Sequence, residues 1–307
     1  MKVLVTGGAG YIGSHVVRQL AAAGHDIVVF DNLSTGYRWA VTAGELVVGD
    51  LADEQAIEAV FSQHKFEAVL HFAANIVVPE SVSNPLKYYS NNTRNTLNLL
   101  KAVESHQVPY MVFSSTAAVY GMPEETVLTE DLPLAPINPY GASKMMSERM
   151  MMDLAAATSL NYVILRYFNV AGANPEGLLG QATPEATHLI KVASECVTGQ
   201  REGMSVFGTD YETRDGTCIR DYIHVEDLAK AHVMALDYMA RGGESQVLNC
   251  GYGRGFTVRE VIDVVKAESG VDFPVTETGR RAGDPAALMA DNTRIKKVLG
   301  WQPDYDD

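Results

Sequence analysis

Val3-Leu4-Val5-Thr6-Gly7-Gly8-Ala9-Gly10-Tyr11-Ile12-Gly13 decides the fold. The opening apolar, β-branched run reads as a buried strand. It enters a turn that fits G-x-x-G-x-x-G at Gly7, Gly10 and Gly13, and G-x-G-x-x-G from Gly8. Beyond it, apolar residues keep helical spacing over residues 11–23 and stop at Gly24, a natural C′ glycine. The glycines permit a tight turn and let a pyrophosphate approach the backbone, where free N–H groups and the helix dipole favour an anion. Alone the pattern is weak; here it has the strand before it and the helix after it that the motif requires. Asp31 ends the second strand, 21 residues past Gly10. A carboxylate there accepts hydrogen bonds from an adenosine ribose and repels a 2′-phosphate, so NAD is expected rather than NADP. The competing reading is a plain glycine turn with a capping Asp.

The rest of the chain extends the same unit. Strands are predicted at 3–5, 27–30, 46–48, 68–72, 111–114, 162–165 and 247–248. Helices are predicted at 11–23, 56–61, 85–105, 139–157, 184–197, 225–240, 258–266 and 293–299. Strands alternating with helices imply βαβ crossovers and a Rossmann-like, doubly wound parallel α/β sheet. After Gly172 the alternation loosens into glycine-containing loops at 177–180 and 199–216. Residues 1–172, with returning segments near 217–250, are expected to form an NAD-binding domain. Residues 173–307 are expected to form a smaller α/β lobe closing over it. Asp50 ends the third strand, where it can meet an adenine amino group, and Leu51 follows it. Phe72-Ala73-Ala74 follows the fourth, its small residues leaving room for a cofactor across the strand ends.

With 307 residues, 24 basic and 38 acidic side chains, the chain carries a formal net charge of −14. That balance argues against nucleic acid, which needs a basic face, and against an anionic membrane surface. Apolar runs fall short of 18 residues, so no spanning segment is predicted. Three dispersed cysteines, Cys196, Cys218 and Cys250, suit a reducing compartment. With no secretory signal before the first strand, a cytoplasmic location is expected. The histidines lack metal-binding spacings; His224 and His232, eight apart on a predicted helix, read as packing, and no metal is predicted.

Tyr140-Gly141-Ala142-Ser143-Lys144 opens a predicted helix at Pro139, a good N1 residue. Tyr140 and Lys144, at i and i+4, share one face. A phenol of pKa about 10 is a poor base at neutral pH, and a nearby ammonium favours its phenolate. The alternative is an ordinary surface Tyr–Lys pair. Upstream, Phe113-Ser114-Ser115-Thr116 ends a core strand in three hydroxyls, one of which can bridge the phenol and a substrate oxygen. Local capping is the competing reading for Ser114 and Ser115.

These segments resemble the extended short-chain dehydrogenase/reductase family of nucleotide-sugar enzymes, and within it the UDP-hexose 4-epimerases. The likeness runs through Gly7 to Gly13, Asp31-Asn32-Leu33, His71-Phe72-Ala73, Asn91-Asn92, Tyr140 to Lys144 and Arg166-Tyr167-Phe168-Asn169. It continues through Phe207-Gly208-Thr209-Asp210-Tyr211, Arg220-Asp221-Tyr222-Ile223-His224-Val225 and Arg280-Arg281-Ala282-Gly283-Asp284. The resemblance implies NAD-dependent interconversion of UDP-glucose and UDP-galactose through a 4-keto intermediate, with N-acetylated sugars as further candidates. It implies Thr116, Tyr140 and Lys144 as catalytic residues. It implies cofactor contacts at Gly7, Gly10, Tyr11, Ile12, Gly13, Asp31, Asn32, Asp50, Leu51, Phe72, Ala73, Ala74, Asn91, Ser114, Tyr140, Lys144 and Tyr167. For the UDP-sugar it implies Thr116, Asn169, His188, Leu189, Phe207, Arg220, Tyr222, Arg281, Asp284 and Leu288. Guanidiniums suit that role, because an acidic chain must supply local charge to hold a diphosphate.

A homodimer built on the helix carrying Met145, Met146, Met150, Met151 and Met152 is implied as well; by itself that run reads as helix packing. Relatives of this kind usually continue into a closing helix, for which Asp306 would serve as N-cap. The chain departs from the pattern at His188, where several relatives carry Asn, at Ile76, where some carry Lys, and at Leu288, where some carry Tyr. Two other functions compete. A 4,6-dehydratase or decarboxylase needs an acid beside the Thr, and Ala117-Ala118 follow Thr116 instead. A non-catalytic NAD-responsive protein predicts loss of Tyr or Lys from the pair, and both are present.

Overall fold

The computed structural model describes residues 1–183, 186–281 and 283–306. In chain order the strands are β1 (Lys2–Thr6), β2 (Asp26–Asp31), β3 (Glu45–Val48), β4 (Ala68–His71), β5 (Tyr110–Thr116), β6 (Val127–Leu128) and β7 (Asn161–Tyr167). They continue as β8 (Asn169–Ala171), β9 (Met204–Phe207), β10 (Ile219–His224), β11 (Gln246–Cys250), β12 (Gly255–Thr257), β13 (Val275–Thr278) and β14 (Ala287–Ala290). The helices are α1 (Tyr11–Ala22), α2 (Glu54–Gln63), α3 (Val78–Ser83), α4 (Pro85–Tyr88), α5 (Asn95–Ser105), α6 (Pro139–Ala157), α7 (Leu189–Val197), α8 (Val225–Ala240), α9 (Val258–Ser269) and α10 (Thr293–Leu299).

Seven strands form one parallel sheet in the order β11-β7-β5-β4-β1-β2-β3. Chain order reverses direction at β1, which pairs with both β2 and β4. Ligands of open α/β sheets bind at such a switch, outside the carboxyl ends of the strands. The sheet is apolar on both faces, as a parallel sheet covered by helices must be. Val3, Val5 and Leu70 pack on one side with Val16, Leu20, Leu228 and Leu236. Leu4, Val28, Val69 and Phe113 pack on the other with Ile57, Leu99, Val103 and Met151. The α8–β11 segment returns to this sheet, β11 pairing with β7 along its edge.

A second group of strands, β12-β10-β14-β6 with β8 on β10, stands beside the first sheet, and β9 pairs with β13. Its own small core joins Ala193, Cys196 and Val206 to Ile262 and Phe273. These strands, and α3, are not predicted from the sequence: most lie after Gly172, where the alternation of apolar runs and helices loosens.

Two predicted helices change form. The continuous helix expected over 85–105 is interrupted: Tyr89–Arg94 widens into a π-type turn between α4 and α5. The Asn92 carboxamide, which accepts from the Asn75 N–H at 2.8 Å and donates to Asn75 O at 3.0 Å, engages the neighbouring loop from within that turn. Such bulges recur at functional sites. The helix expected from residue 184 begins at Leu189; Pro184 and Glu185 lie outside the described residues, as do Ala282 and Asp307. His224 is the N-cap of α8 and His232 is buried inside it. Among the described residues no group of three or more His, Cys, Asp or Glu is placed to hold a metal, and no helix is long and apolar enough to cross a membrane.

Candidate active site

A cleft of about 530 Å³ runs along the carboxyl ends of the main sheet toward the second group of strands. Its floor is the glycine turn. Gly7 has φ +74°, and a Cβ there would lie 2.6 Å from the Ala73 nitrogen, so only glycine fits between the ends of β1 and β4. Gly10 is the N-cap of α1, with no side-chain cap and no acid in the first turn. The helix therefore presents bare N–H groups and its positive dipole end to the cleft, a site made for a phosphate.

Asp31 braces this turn. One of its oxygens accepts from the Ala9 N–H at 2.9 Å, the other from the Leu33 N–H at 2.8 Å. Next to it, Asp50 accepts from Ala52 N–H at 2.7 Å and from the Asn32 side chain at 2.9 Å. Asp31, Asn32, Asp50 and Leu51 all line the cleft, forming one wall for an adenosine. Phe72, Ala73, Ala74 and Asn91 line the stretch toward its middle.

The middle holds the expected catalytic group. Asn138 caps α6 by accepting from the Gly141 N–H at 2.8 Å, and Pro139 pre-sets the first helical φ. That cap sets Tyr140 in the first turn, facing the cleft. Ser143 ties the turn down, donating to the Tyr140 carbonyl at 2.7 Å and accepting from Asn92 at 3.0 Å. Thr116 ends β5 opposite, its hydroxyl accepting from the Ala118 N–H at 3.1 Å. One turn deeper along α6, the Lys144 ammonium donates to Ser114 O at 2.8 Å and lies 4.8 Å from the centre of the Phe113 ring.

Burial moves both titrations. The Tyr140 phenol is pushed up by desolvation, while the neighbouring Thr116 hydroxyl pulls it down. Lys144 is pushed down to about 7 by desolvation, with the Glu148 carboxylate opposing. Glu148, 1 % exposed, receives Ser115 Oγ at 2.5 Å and Arg166 Nη2 at 2.6 Å. Burial thus drives the two pKa values apart, each group toward its neutral form, and a positive charge brought nearby would favour the phenolate.

The far end is only partly assembled as expected. Asn169, His188, Arg220 and Leu288 line the cleft. The His188 ring meets Gln181 at 2.9 Å, and its pKa is lowered by burial. Arg220 Nη2 donates to Asp284 at 2.5 Å, and the Arg281 guanidinium sits 3.7 Å from the centre of the Phe207 ring. Asp284, Arg281, Phe207, Tyr222 and Leu189 thus stand outside the cleft wall, Asp284 joined to it through Arg220. Ser114 and Lys144 lie behind Thr116 and Tyr140 rather than on the surface; Tyr167 lines the cleft and its hydroxyl is 2.7 Å from Ser114 Oγ. Sequence reasoning missed Glu80, Lys87 and Tyr88, which reach the cleft from α3 and α4. Glu80 accepts from Lys87 at 2.5 Å and from Tyr88 at 2.9 Å. No motif marks them; only the fold brings that loop over the strand ends.

Comparison with known proteins identifies the family. Residues 3–251 match the profile of the NAD dependent epimerase/dehydratase family. The UDP-glucose 4-epimerase of Azospirillum brasilense is 56% identical over 306 residues, covering 99% of this chain and 88% of the relative. The crystal structure of UDP-glucose 4-epimerase from Brucella ovis in complex with NAD superposes with a TM-score of 0.97 at 45% identity, covering 100% of this chain and 94% of that one. The UDP-Glc/GlcNAc 4-epimerase from Campylobacter jejuni gives a TM-score of 0.88 at 52% identity, covering 100% and 95%. By the extent of the family match and the identity to these relatives over nearly its whole length, the chain belongs to the NAD dependent epimerase/dehydratase family and, within it, to the UDP-glucose 4-epimerases.

Proposed function

We propose that the chain interconverts UDP-glucose and UDP-galactose by inverting C4, with Tyr140 as the acid–base group, Thr116 as its hydrogen-bonded bridge and Lys144 as its electrostatic partner. One observation carries this assignment: the glycine turn, Thr116 and Tyr140 open into the same cleft. The residues fit NAD, since the unshielded N-terminus of α1 suits a pyrophosphate and the Asp31 carboxylate disfavours a 2′-phosphate. A dinucleotide held there would supply a hydride acceptor and donor for C4, with no net redox change over the cycle. Tyr140 removes the 4-hydroxyl proton, with Thr116 relaying between phenol and sugar oxygen. The keto sugar stays tethered by its UDP and turns its other face within the cleft. Tyr140 then gives the proton back.

In this reading residues 1–172, with the returning 217–250 segment, hold the cofactor. Residues 173–307 hold the UDP-sugar, with His188 on the cleft wall and with Asn169 and Arg220 reaching that wall from the cofactor-holding segments. Asp284 orients Arg220, and Arg281, Phe207, Tyr222 and Leu189 meet the nucleotide as that lobe closes. We place the enzyme in the cytoplasm, a location its free buried cysteines suit, as a homodimer formed across α5 and α6, which expose Leu97 and Met146. The dehydratase alternative finds no support beside Thr116, where Ala117 and Ala118 face the cleft.

Incubation of the purified protein with UDP-galactose and no added NAD is expected to yield UDP-glucose. A protein that leaves UDP-galactose unchanged, or forms a 4-keto-6-deoxy product, contradicts the assignment. Because the reaction never requires the cofactor to leave, heat-denatured protein should release NAD with little NADP, read by chromatography of the supernatant. A preparation that is empty and responds only to added NADP would overturn the role given to Asp31.

A further inference from the structure

Three buried asparagines recur at three-residue spacing along the π-turn and α5: Asn92, Asn95 and Asn98. Two have settled partners. Asn92 is bound to Asn75 and Ser143, and Asn98 donates to Leu51 O at 3.0 Å. Asn95 lies between them. It lines the cleft, is 4% exposed, and its buried Oδ1 has no hydrogen-bond partner among the described residues. A buried carbonyl oxygen without a donor is a costly choice for folding alone. An Ala or Leu at this helical position would avoid it.

The position tells which ligand group would supply the donor. Asn95 is three residues before Asn98, so the two share a face of α5, and Asn98 touches Leu51 on the adenosine wall. The acids of that wall are engaged by the protein itself: Asp31 by two backbone N–H groups, Asp50 by Ala52 and Asn32. An adenine placed there offers an exocyclic amino group beside a ring nitrogen acceptor, the pair of groups a carboxamide matches bidentately.

We propose that Asn95 reads the adenine base of the bound dinucleotide, Oδ1 accepting from the 6-amino group and Nδ2 donating to the adjacent ring nitrogen. The inference rests on the reading that this cleft holds NAD, and it adds a second contact on the base to the one expected of Asp50.

The test is a competition. Wild-type protein, Asn95→Leu and Asn95→Asp are each equilibrated with an equimolar excess of NAD and nicotinamide hypoxanthine dinucleotide, until labelled NAD shows that the resident dinucleotide has exchanged. The retained ratio is read after denaturation. Hypoxanthine carries a carbonyl where adenine carries the amino group. Wild type should favour NAD, and Asn95→Leu should reduce that preference by about ten-fold, within the range of a bidentate base contact. Asn95→Asp should keep a clear preference for NAD, since a carboxylate accepts from the amino group and repels the carbonyl. Equal ratios in wild type and Asn95→Leu would overturn the proposal, as would an Asp variant no more selective than the Leu variant. If Asn95→Leu fails to fold, the near-isosteric Asp variant decides alone: a preference at least as strong as wild type supports the contact, and one near unity overturns it. Wild-type protein that retains neither dinucleotide would instead sink the cofactor reading itself.

Discussion

Tyr140→Phe is expected to lower kcat by at least about 10²-fold, the scale of general acid–base catalysis, while leaving UDP and NAD affinity largely intact. The ring is 8% exposed and packs edge-on to Tyr88 at 6.5 Å, contacts a phenylalanine keeps. What disappears is one hydroxyl, the group facing Thr116 across the cleft. No second phenol stands ready to replace it. Tyr88 is fully buried, and its hydroxyl is committed to Val77 O at 2.7 Å and Glu80 at 2.9 Å. Tyr167 is tied to Ser114. Steady-state rates with UDP-galactose, set beside UDP affinity by calorimetry, separate loss of chemistry from loss of binding. Turnover within a few-fold of wild type would refute the assignment. Burial raises the phenol and lowers Lys144 to about 7. In the cofactor-free protein Tyr140 therefore stays protonated at neutral pH, and Lys144 carries its charge below about pH 7 and loses it above. Formation of the phenolate then depends on positive charge brought into the cleft, which is what an oxidised nicotinamide provides.

The parallel sheet was legible because its signals are long and redundant. Val3 to Val5, Ile27 to Phe30 and Met111 to Phe113 are continuous apolar runs, and the first βα turn and the start of α6 carry their own punctuation in the glycine turn and Pro139. The Tyr140 and Lys144 pair was legible from spacing, since i and i+4 on one helix fix a shared face before any tertiary contact is known. Two features were not. The interruption of the helix at Tyr89–Arg94 accompanies the bonding of Asn92 to Asn75, a contact 17 residues away that no local propensity encodes. The far wall of the cleft depends on pairings of still longer range. Arg220 stands opposite Leu288 in the register of β10 and β14, and Arg220 binds Asp284 from 64 residues away. The sequence places such residues only through likeness to relatives, because strands of four residues or fewer, such as β14, carry almost no periodic information.

The largest effect on specificity is expected at Leu288. Its strand, β14, runs beside β10, and its side chain packs against the cluster of Ala117, Val119, Tyr120 and Leu128 just behind Thr116. Leu288 therefore reaches the cleft at the end where the sugar must lie if Tyr140 is to meet its 4-hydroxyl. A larger side chain at this position removes space beside the hexose, and a smaller one adds it. Leu is intermediate and flexible, so a mixed preference that favours UDP-glucose and UDP-galactose over their 2-acetamido counterparts follows. Steric exclusion acts on the difference between two substrates; a clash of a few kcal/mol, about 1.4 kcal/mol per factor of ten, shifts the ratio of kcat/KM by orders of magnitude. Leu288→Tyr should depress turnover of UDP-N-acetylglucosamine far more than that of UDP-glucose, and Leu288→Ser should shift the ratio the other way. The packing predicts a side effect that separates the two changes. Ser removes apolar contact from the cluster behind Thr116, so that variant should also lose stability, by about 2 kcal/mol or more if the gap stays open. Tyr adds volume next to Tyr120 and must turn into the cleft, leaving the cluster filled. Measuring kcat/KM for both sugars in all three proteins, alongside their melting temperatures, keeps selectivity distinct from folding. A ratio that stays flat across Tyr, Leu and Ser would mean that the hexose lies away from β14, and that sugar choice is made elsewhere on the wall, where His188 meets Gln181.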